Sequence, residues 1–120
     1  HYPLRRQRQM CIRDRQDYLS AADCYIMPSL YEGLPVAAVE AQCSGLPCVM
    51  SANITKEVAL TKATCFLSLD ESVDVWADEV LKYRNFQRTD SSQEVADKGY
   101  DVLTVSKWLE NFYLKCASGK

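Results

Sequence analysis

Glu32 and Glu40 stand eight positions apart and bracket the short segment Gly33-Leu34-Pro35. Carboxylates are strong acceptors for paired hydroxyl groups. The apolar run Cys24-Tyr25-Ile26-Met27, closed by Pro28, reads as a buried strand, and Pro35 can open a helix because its missing N–H is harmless in the first turn. Gly33 and Leu34 therefore fall where the carboxyl end of a strand meets the start of a helix. In open α/β sheets ligands gather at that edge, where helix N-termini point N–H groups at anions. Gly33 lets a ligand come close to the backbone. The expectation is a site for an anion or sugar-phosphate.

The helix from Pro35 to Cys43 is almost wholly apolar, and Glu40 is its only charge. A carboxylate in such a helix costs free energy unless a partner or ligand satisfies it. Two plainer readings stand beside this one. Glu32 could complement the helix dipole, worth roughly 0.3–1 kcal/mol at an exposed end, and Glu40 could reach water at the helix edge. Spacing alone leaves the two sets of readings level.

The elements that must position these residues alternate. Asp17 to Ala22 reads as a helix tail, Leu46 to Met50 as a second strand after the stop signal Ser44-Gly45, and Cys65 to Ser68 as a third. Between the last two, Ser51 to Thr64 reads as a loop with one helical turn at Lys56-Glu57-Val58. Asp70-Glu71-Ser72 caps a helix over Val73 to Tyr83, with Val73, Trp76, Ala77, Val80 and Leu81 on one face. After a polar linker, Arg84 to Thr89, Ser91 and Ser92 with Glu94 start another helix that ends near Gly99. A final helix to Lys115 carries Leu103, Val105, Trp108, Leu109, Phe112 and Tyr113. Short apolar strands separated by helices imply a parallel α/β sheet covered on both faces.

At 120 residues the chain suits one modest core, and 48% apolar with 25% charged residues is ordinary for a globular protein. A net charge of −2 excludes a general nucleic-acid binder, and no apolar run is long enough to cross a bilayer. Cys24, Cys48 and Cys65 lie in strand-like runs, where a free thiol acts as a small buried hydrophobe. Without a CxxC pair, and with His1 the one histidine, a zinc site has almost no material. Reduced thiols, no signal peptide and a cytoplasmic setting are the expectation.

Residues 1–15 stand apart. Arg5, Arg6, Arg8, Arg13 and Arg15 occur there with almost no apolar periodicity. The run from Arg5 to Arg15 reads as the direct translation of a widely used transposon sequencing adaptor. The expectation is a non-native, disordered segment over 1–15, with the native domain over 16–120.

Glu32-Gly33-Leu34-Pro35, then Glu40-Ala41, then Gly45-Leu46-Pro47-Cys48-Val49, resembles the E-x7-E segment of retaining glycosyltransferases of family 4, in its bacterial capsule and exopolysaccharide branch. Ala21-Ala22-Asp23-Cys24-Tyr25-Ile26-Met27-Pro28-Ser29 is similar to that family's approach strand. The resemblance implies a partial Rossmann-like parallel sheet, the distal half of the C-terminal domain of a GT-B enzyme. It implies a UDP- or GDP-sugar donor and a glycan or lipid-linked acceptor, with retention of configuration and no metal or other cofactor. Glu32 would bind the donor sugar at the reacting carbon, and Gly33, Leu34 and Pro35 would hold sugar and diphosphate. Glu40 would take the ribose hydroxyls. The family's diphosphate-neutralising Arg and Lys, and its acceptor domain, lie upstream of this segment, so the chain alone is expected to be inactive. The final helix would pack on that acceptor domain or act as a plain core helix, and the whole enzyme would meet the membrane peripherally. The alternative is a non-catalytic nucleotide- or phosphate-binding α/β module.

Overall fold

The computed structural model describes residues 14–119. Eight regular elements follow one another: α1 (Arg15–Ala21), β1 (Tyr25–Met27), α2 (Val36–Cys43), β2 (Cys48–Ser51), β3 (Thr64–Leu67), α3 (Val73–Leu81), α4 (Ser92–Val95) and α5 (Val102–Ala117). A 3-10 turn, Lys56–Val58, interrupts the connection between β2 and β3 where a helical turn was expected. The three strands form one parallel sheet in the order β1-β2-β3, with Tyr25 beside Cys48 and Cys48 beside Thr64. This is the partial Rossmann-like α/β sheet anticipated above.

β2 is buried along its whole length, as a central parallel strand must be. Cys48 and Met50 face the main core, packed with Leu19 of α1, Ala38 and Ala41 of α2, and Ile54 and Val58. Val49 points to the opposite face and is equally buried. There α3 contributes Glu79, whose carboxylate, after burial, raises the pKa of the Cys65 thiol. Of the three strand cysteines only Cys48 is fully buried. Burial, helped by the nearby Cys24 thiol, pushes its pKa up to about 12. Cys24 lies just before β1, and it and Cys65 are half-buried.

The apolar side of α2 holds one polar residue that the pattern concealed. Gln42 is 0% exposed. Its Nε2 donates to the carbonyls of Ala38 at 3.1 Å and Val58 at 2.7 Å. Its Oε1 accepts from Leu60 N at 2.8 Å, Thr61 N at 3.1 Å and Thr64 Oγ1 at 3.0 Å. One amide thus satisfies the backbone of the connection that leads into β3, which would otherwise be buried without partners. Just beyond, α2 ends in a Schellman turn: Gly45 N bonds Gln42 O at 2.9 Å and Leu46 N bonds Ala41 O at 3.0 Å. Gly45 has φ +74, and a Cβ there would lie 2.3 Å from Thr89 O.

Several expectations are corrected. Pro35 is not the first helical residue but the cap position, with extended backbone (φ −76, ψ 104). β2 begins at Cys48, not Leu46, and β3 begins at Thr64. On α3 the covered line is Trp76, Glu79 and Val80, continued by Tyr83 just beyond it, whereas Val73, Ala77 and Leu81 face solvent. Trp76 anchors that face by donating from its indole N–H to Ser68 O at 3.1 Å. The polar linker is tied down, because Arg88 donates to the Ala22 carbonyl and Thr89 abuts Gly45. α4 starts as expected, at Ser92 with Ser91 in the cap position, and the Asp90 carboxylate supports that start, accepting from Ser92 N at 2.9 Å and Ser92 Oγ at 2.6 Å. No residue of α5 is buried, so it is not a core helix of the described residues. The expectation for residues 1–15 falls mostly outside the described residues; Arg15 itself opens α1. No helix among the described residues is long and apolar enough to cross a membrane.

Replacing Gln42 by Leu keeps the volume and leaves several buried polar groups unpaired. Each such group costs about 1–3 kcal/mol, so denaturant melts should show a loss of at least about 3 kcal/mol. Gly45→Ala should lose about 1–3 kcal/mol from its backbone conformation alone. A loss under about 0.5 kcal/mol for either variant would refute these assignments.

Candidate functional site

The strand-to-helix loop, residues 28–35, leaves the carboxyl end of β1 and delivers the chain to the start of α2. No side chain caps that helix start. Only Pro35 O acts there, accepting from Ala38 N at 3.1 Å and Val39 N at 3.3 Å. The N–H groups of Val36 and Ala37 at the helix start therefore carry no protein acceptor among the described residues, which suits an anion.

Glu32 sits half-buried in this loop and accepts from Ser29 Oγ at 3.0 Å through Oε1. Gly33 has no positive φ, and a Cβ placed on it would meet nothing within 4 Å. Nothing within the described residues requires glycine there. The space beside it is open, as an approach by a ligand demands. Leu34 is exposed and Pro35 buried.

Glu40 lies a turn inside α2. Its two carboxylate oxygens both accept from Arg15 Nη1, at 2.9 Å each. The partner that this lone charge required is thus Arg15, at the start of α1. A single nitrogen serves both oxygens, so the contact lacks the two parallel bonds of a guanidinium fork. With side chains 44% and 30% exposed, the pair contributes on the order of 0.2–1 kcal/mol. It is a contact that a ligand can displace.

The structure also reveals a residue that sequence reasoning passed over. Tyr25, half-buried on β1, has its hydroxyl pKa raised by burial first, then by Cys48 and by the charges of Glu32 and Glu40. The charges of both carboxylates thus reach the Tyr25 hydroxyl, on the first residue of β1. Asn53, just after β2, is a second such residue: its Nδ2 donates to Leu30 O at 3.1 Å. No local motif marks either one, since both act across strands. A cleft of about 440 Å³ lies elsewhere, at the amino edge of the sheet, between Gly45, Thr61, Lys62, Tyr83, Phe86 and Glu94. It shares no residue with the glutamate loop.

An uncapped helix start beside two carboxylates, at the carboxyl edge of a parallel sheet, can hold a ligand that presents both phosphate and hydroxyl groups. Over residues 7–85 the chain matches the family described as Glycosyl transferases group 1. It belongs to that family. It is 45% identical over 95 residues to the putative glycosyltransferase EpsF of Bacillus subtilis (strain 168), a match covering 76% of this chain and 25% of that protein. It is 47% identical over 49 residues to the UDP-Gal:alpha-D-GlcNAc-diphosphoundecaprenol alpha-1,3-galactosyltransferase of Escherichia coli, covering 41% of this chain and 12% of that enzyme. The chain thus spans about a quarter or less of the length of these relatives. No solved structure is matched significantly.

Because Gly33 has ordinary backbone and open surroundings, Gly33→Ala should leave the thermal midpoint within about 1 °C of the parent, a change well under 1 kcal/mol. A fall of several degrees in a thermal melt would mean that the loop itself, not a ligand, needs the glycine.

Proposed function

We propose that this chain is the donor-binding part of a retaining glycosyltransferase of family 4 and GT-B architecture. The whole enzyme would move a sugar from a nucleotide-sugar donor to a glycan or lipid-linked acceptor in polysaccharide biosynthesis. The observation that carries this reading is the uncapped start of α2, with Glu32 held in the loop before it and Glu40 a turn within it, in a member of this family. The name of the Escherichia coli relative, which states a UDP-linked donor and a lipid-diphosphate acceptor, supports the substrate class.

In this reading Glu32 accepts hydrogen bonds from the donor sugar's hydroxyls near the reacting carbon. The N–H groups of Gly33, Leu34 and the first turn of α2 face the diphosphate, where the helix dipole supplies roughly half a positive charge. Glu40 receives the ribose hydroxyls and gives up Arg15 in exchange. As the bond from the sugar's anomeric carbon to the phosphate oxygen breaks, the nucleoside diphosphate leaves with the electron pair. The acceptor oxygen bonds that carbon, and its proton passes to the departing diphosphate oxygen. About half a charge at a helix end does not balance a leaving diphosphate, so further cations and the acceptor site are assigned to the rest of the protein. The 120-residue chain alone is then expected to transfer no sugar. The reading carries with it a cytoplasmic enzyme that needs no metal and meets a lipid-linked acceptor by peripheral membrane association.

The two glutamates should be separable in a full-length relative carrying this segment. Glu40→Gln loses a charge-assisted contact with the ribose, so UDP or GDP affinity should fall by about 1.5–3 kcal/mol, roughly ten- to hundredfold. Glu32→Gln should depress single-turnover transfer more than nucleotide binding, because its contact is at the reacting centre. If both variants merely melt earlier, with unchanged transfer per folded molecule, the two residues are structural and the reading is wrong.

A further inference from the structure

Two contacts hold the glutamate loop from different sides. Ser29 Oγ donates to one oxygen of Glu32 at 3.0 Å, from within the loop. Asn53 Nδ2 donates to Leu30 O at 3.1 Å, from the segment that follows β2. Asn53 is itself fixed, since its backbone N–H donates to Ser51 Oγ at 3.1 Å and Ser51 is fully buried at the end of β2. The loop would otherwise have little to stay for. Leu30 and Tyr31 are 78% and 87% exposed, so apolar burial contributes almost nothing to its conformation.

We propose that Ser29 and Asn53 are positioning residues: Ser29 occupies Oε1 of Glu32 and so directs Oε2 to the donor sugar, while Asn53 clamps the loop backbone to the buried end of β2. The proposal rests on the reading of Glu32 as the sugar-binding carboxylate. A carboxylate with one oxygen held by a neighbouring hydroxyl loses rotational freedom about its last bond before the ligand arrives, and so less is lost on binding. The clamp acts at Leu30 O, two residues before Glu32, and makes no contact with the sugar. Its effect reaches the ligand only through the backbone.

The test uses the 120-residue chain in two measurements. Without ligand, backbone ¹⁵N relaxation reports the loop directly. Order parameters for Leu30, Tyr31, Glu32 and Gly33 should lie near 0.85 in the parent and fall below about 0.6 in Asn53→Asp, which keeps the shape but loses the N–H donor. Core amides such as Met50 should not change, and an unchanged loop in this variant overturns the clamp. With ligand, UDP-galactose and UDP are titrated in parallel by NMR. Ser29→Ala should weaken UDP-galactose about tenfold and UDP less than twofold, and Ser29→Thr, which keeps the hydroxyl, should restore the parent value. Equal weakening of both ligands, or no rescue by threonine, overturns the role of Ser29. If the parent itself distinguishes neither ligand while the relaxation result holds, the clamp stands and the sugar-binding reading of Glu32 fails, and with it the positioning role.

Discussion

The arrangement depends on one buried amide. Gln42 lies on the apolar side of α2 and satisfies both the helix and the chain entering β3. A connection that crosses a core carries polar backbone into an apolar place, which is tolerated only where every group finds a partner. Gln42 supplies an acceptor and two donors at the point where they are needed. It therefore fixes α2 against the sheet at the helix's carboxyl end, and Gly45 secures the same end by a turn that only glycine fits against Thr89.

This asymmetry shapes the site. α2 is held firmly at the end remote from the glutamate loop and left without a side-chain cap at the near end. A helix anchored in this way can keep its first N–H groups unfilled, because its stability does not rest on capping them. Glu40 lies between the two ends, exposed enough to exchange one partner for another.

Much of this was legible in the sequence for a simple reason. Strands such as Cys48–Ser51 are short apolar runs, and the connections between them, one through α2 and one through a 3-10 turn, are long enough to cross over into parallel pairing. The glutamate loop could be placed at the carboxyl edge from the same pattern. What remained hidden acts across space. Gln42 looks like a tolerated polar residue until its four-residue spacing from the buried Ala38 puts it on the core side. Arg15 reads as the last residue of the adaptor-like segment, and its pairing with Glu40, 25 residues on, has no local signature. On α3 the apolar residues Val73 and Leu81 suggested a buried stripe, but the covered line runs through Trp76 and Val80 toward Tyr83 instead. Ser91 is the cap residue of α4, as its pattern suggested, yet its side chain makes no cap bond and the Asp90 carboxylate reaches Ser92 instead. That contact, through Ser92's hydroxyl and backbone N–H, also holds the Asp90 carboxyl below its usual pKa.

The central claim is that ligand binds at the near end of α2, at the carboxyl edge of the sheet. Amide chemical shifts of the 120-residue chain, followed while UDP is added, locate binding residue by residue. The account predicts that the largest shifts fall on Gly33, Leu34, Val36 and Ala37, with smaller ones at Tyr25 and Glu40. Shifts centred on Gly45, Thr61, Lys62 and Thr89, with the start of α2 unmoved, would place the ligand in the amino-edge cleft and contradict it.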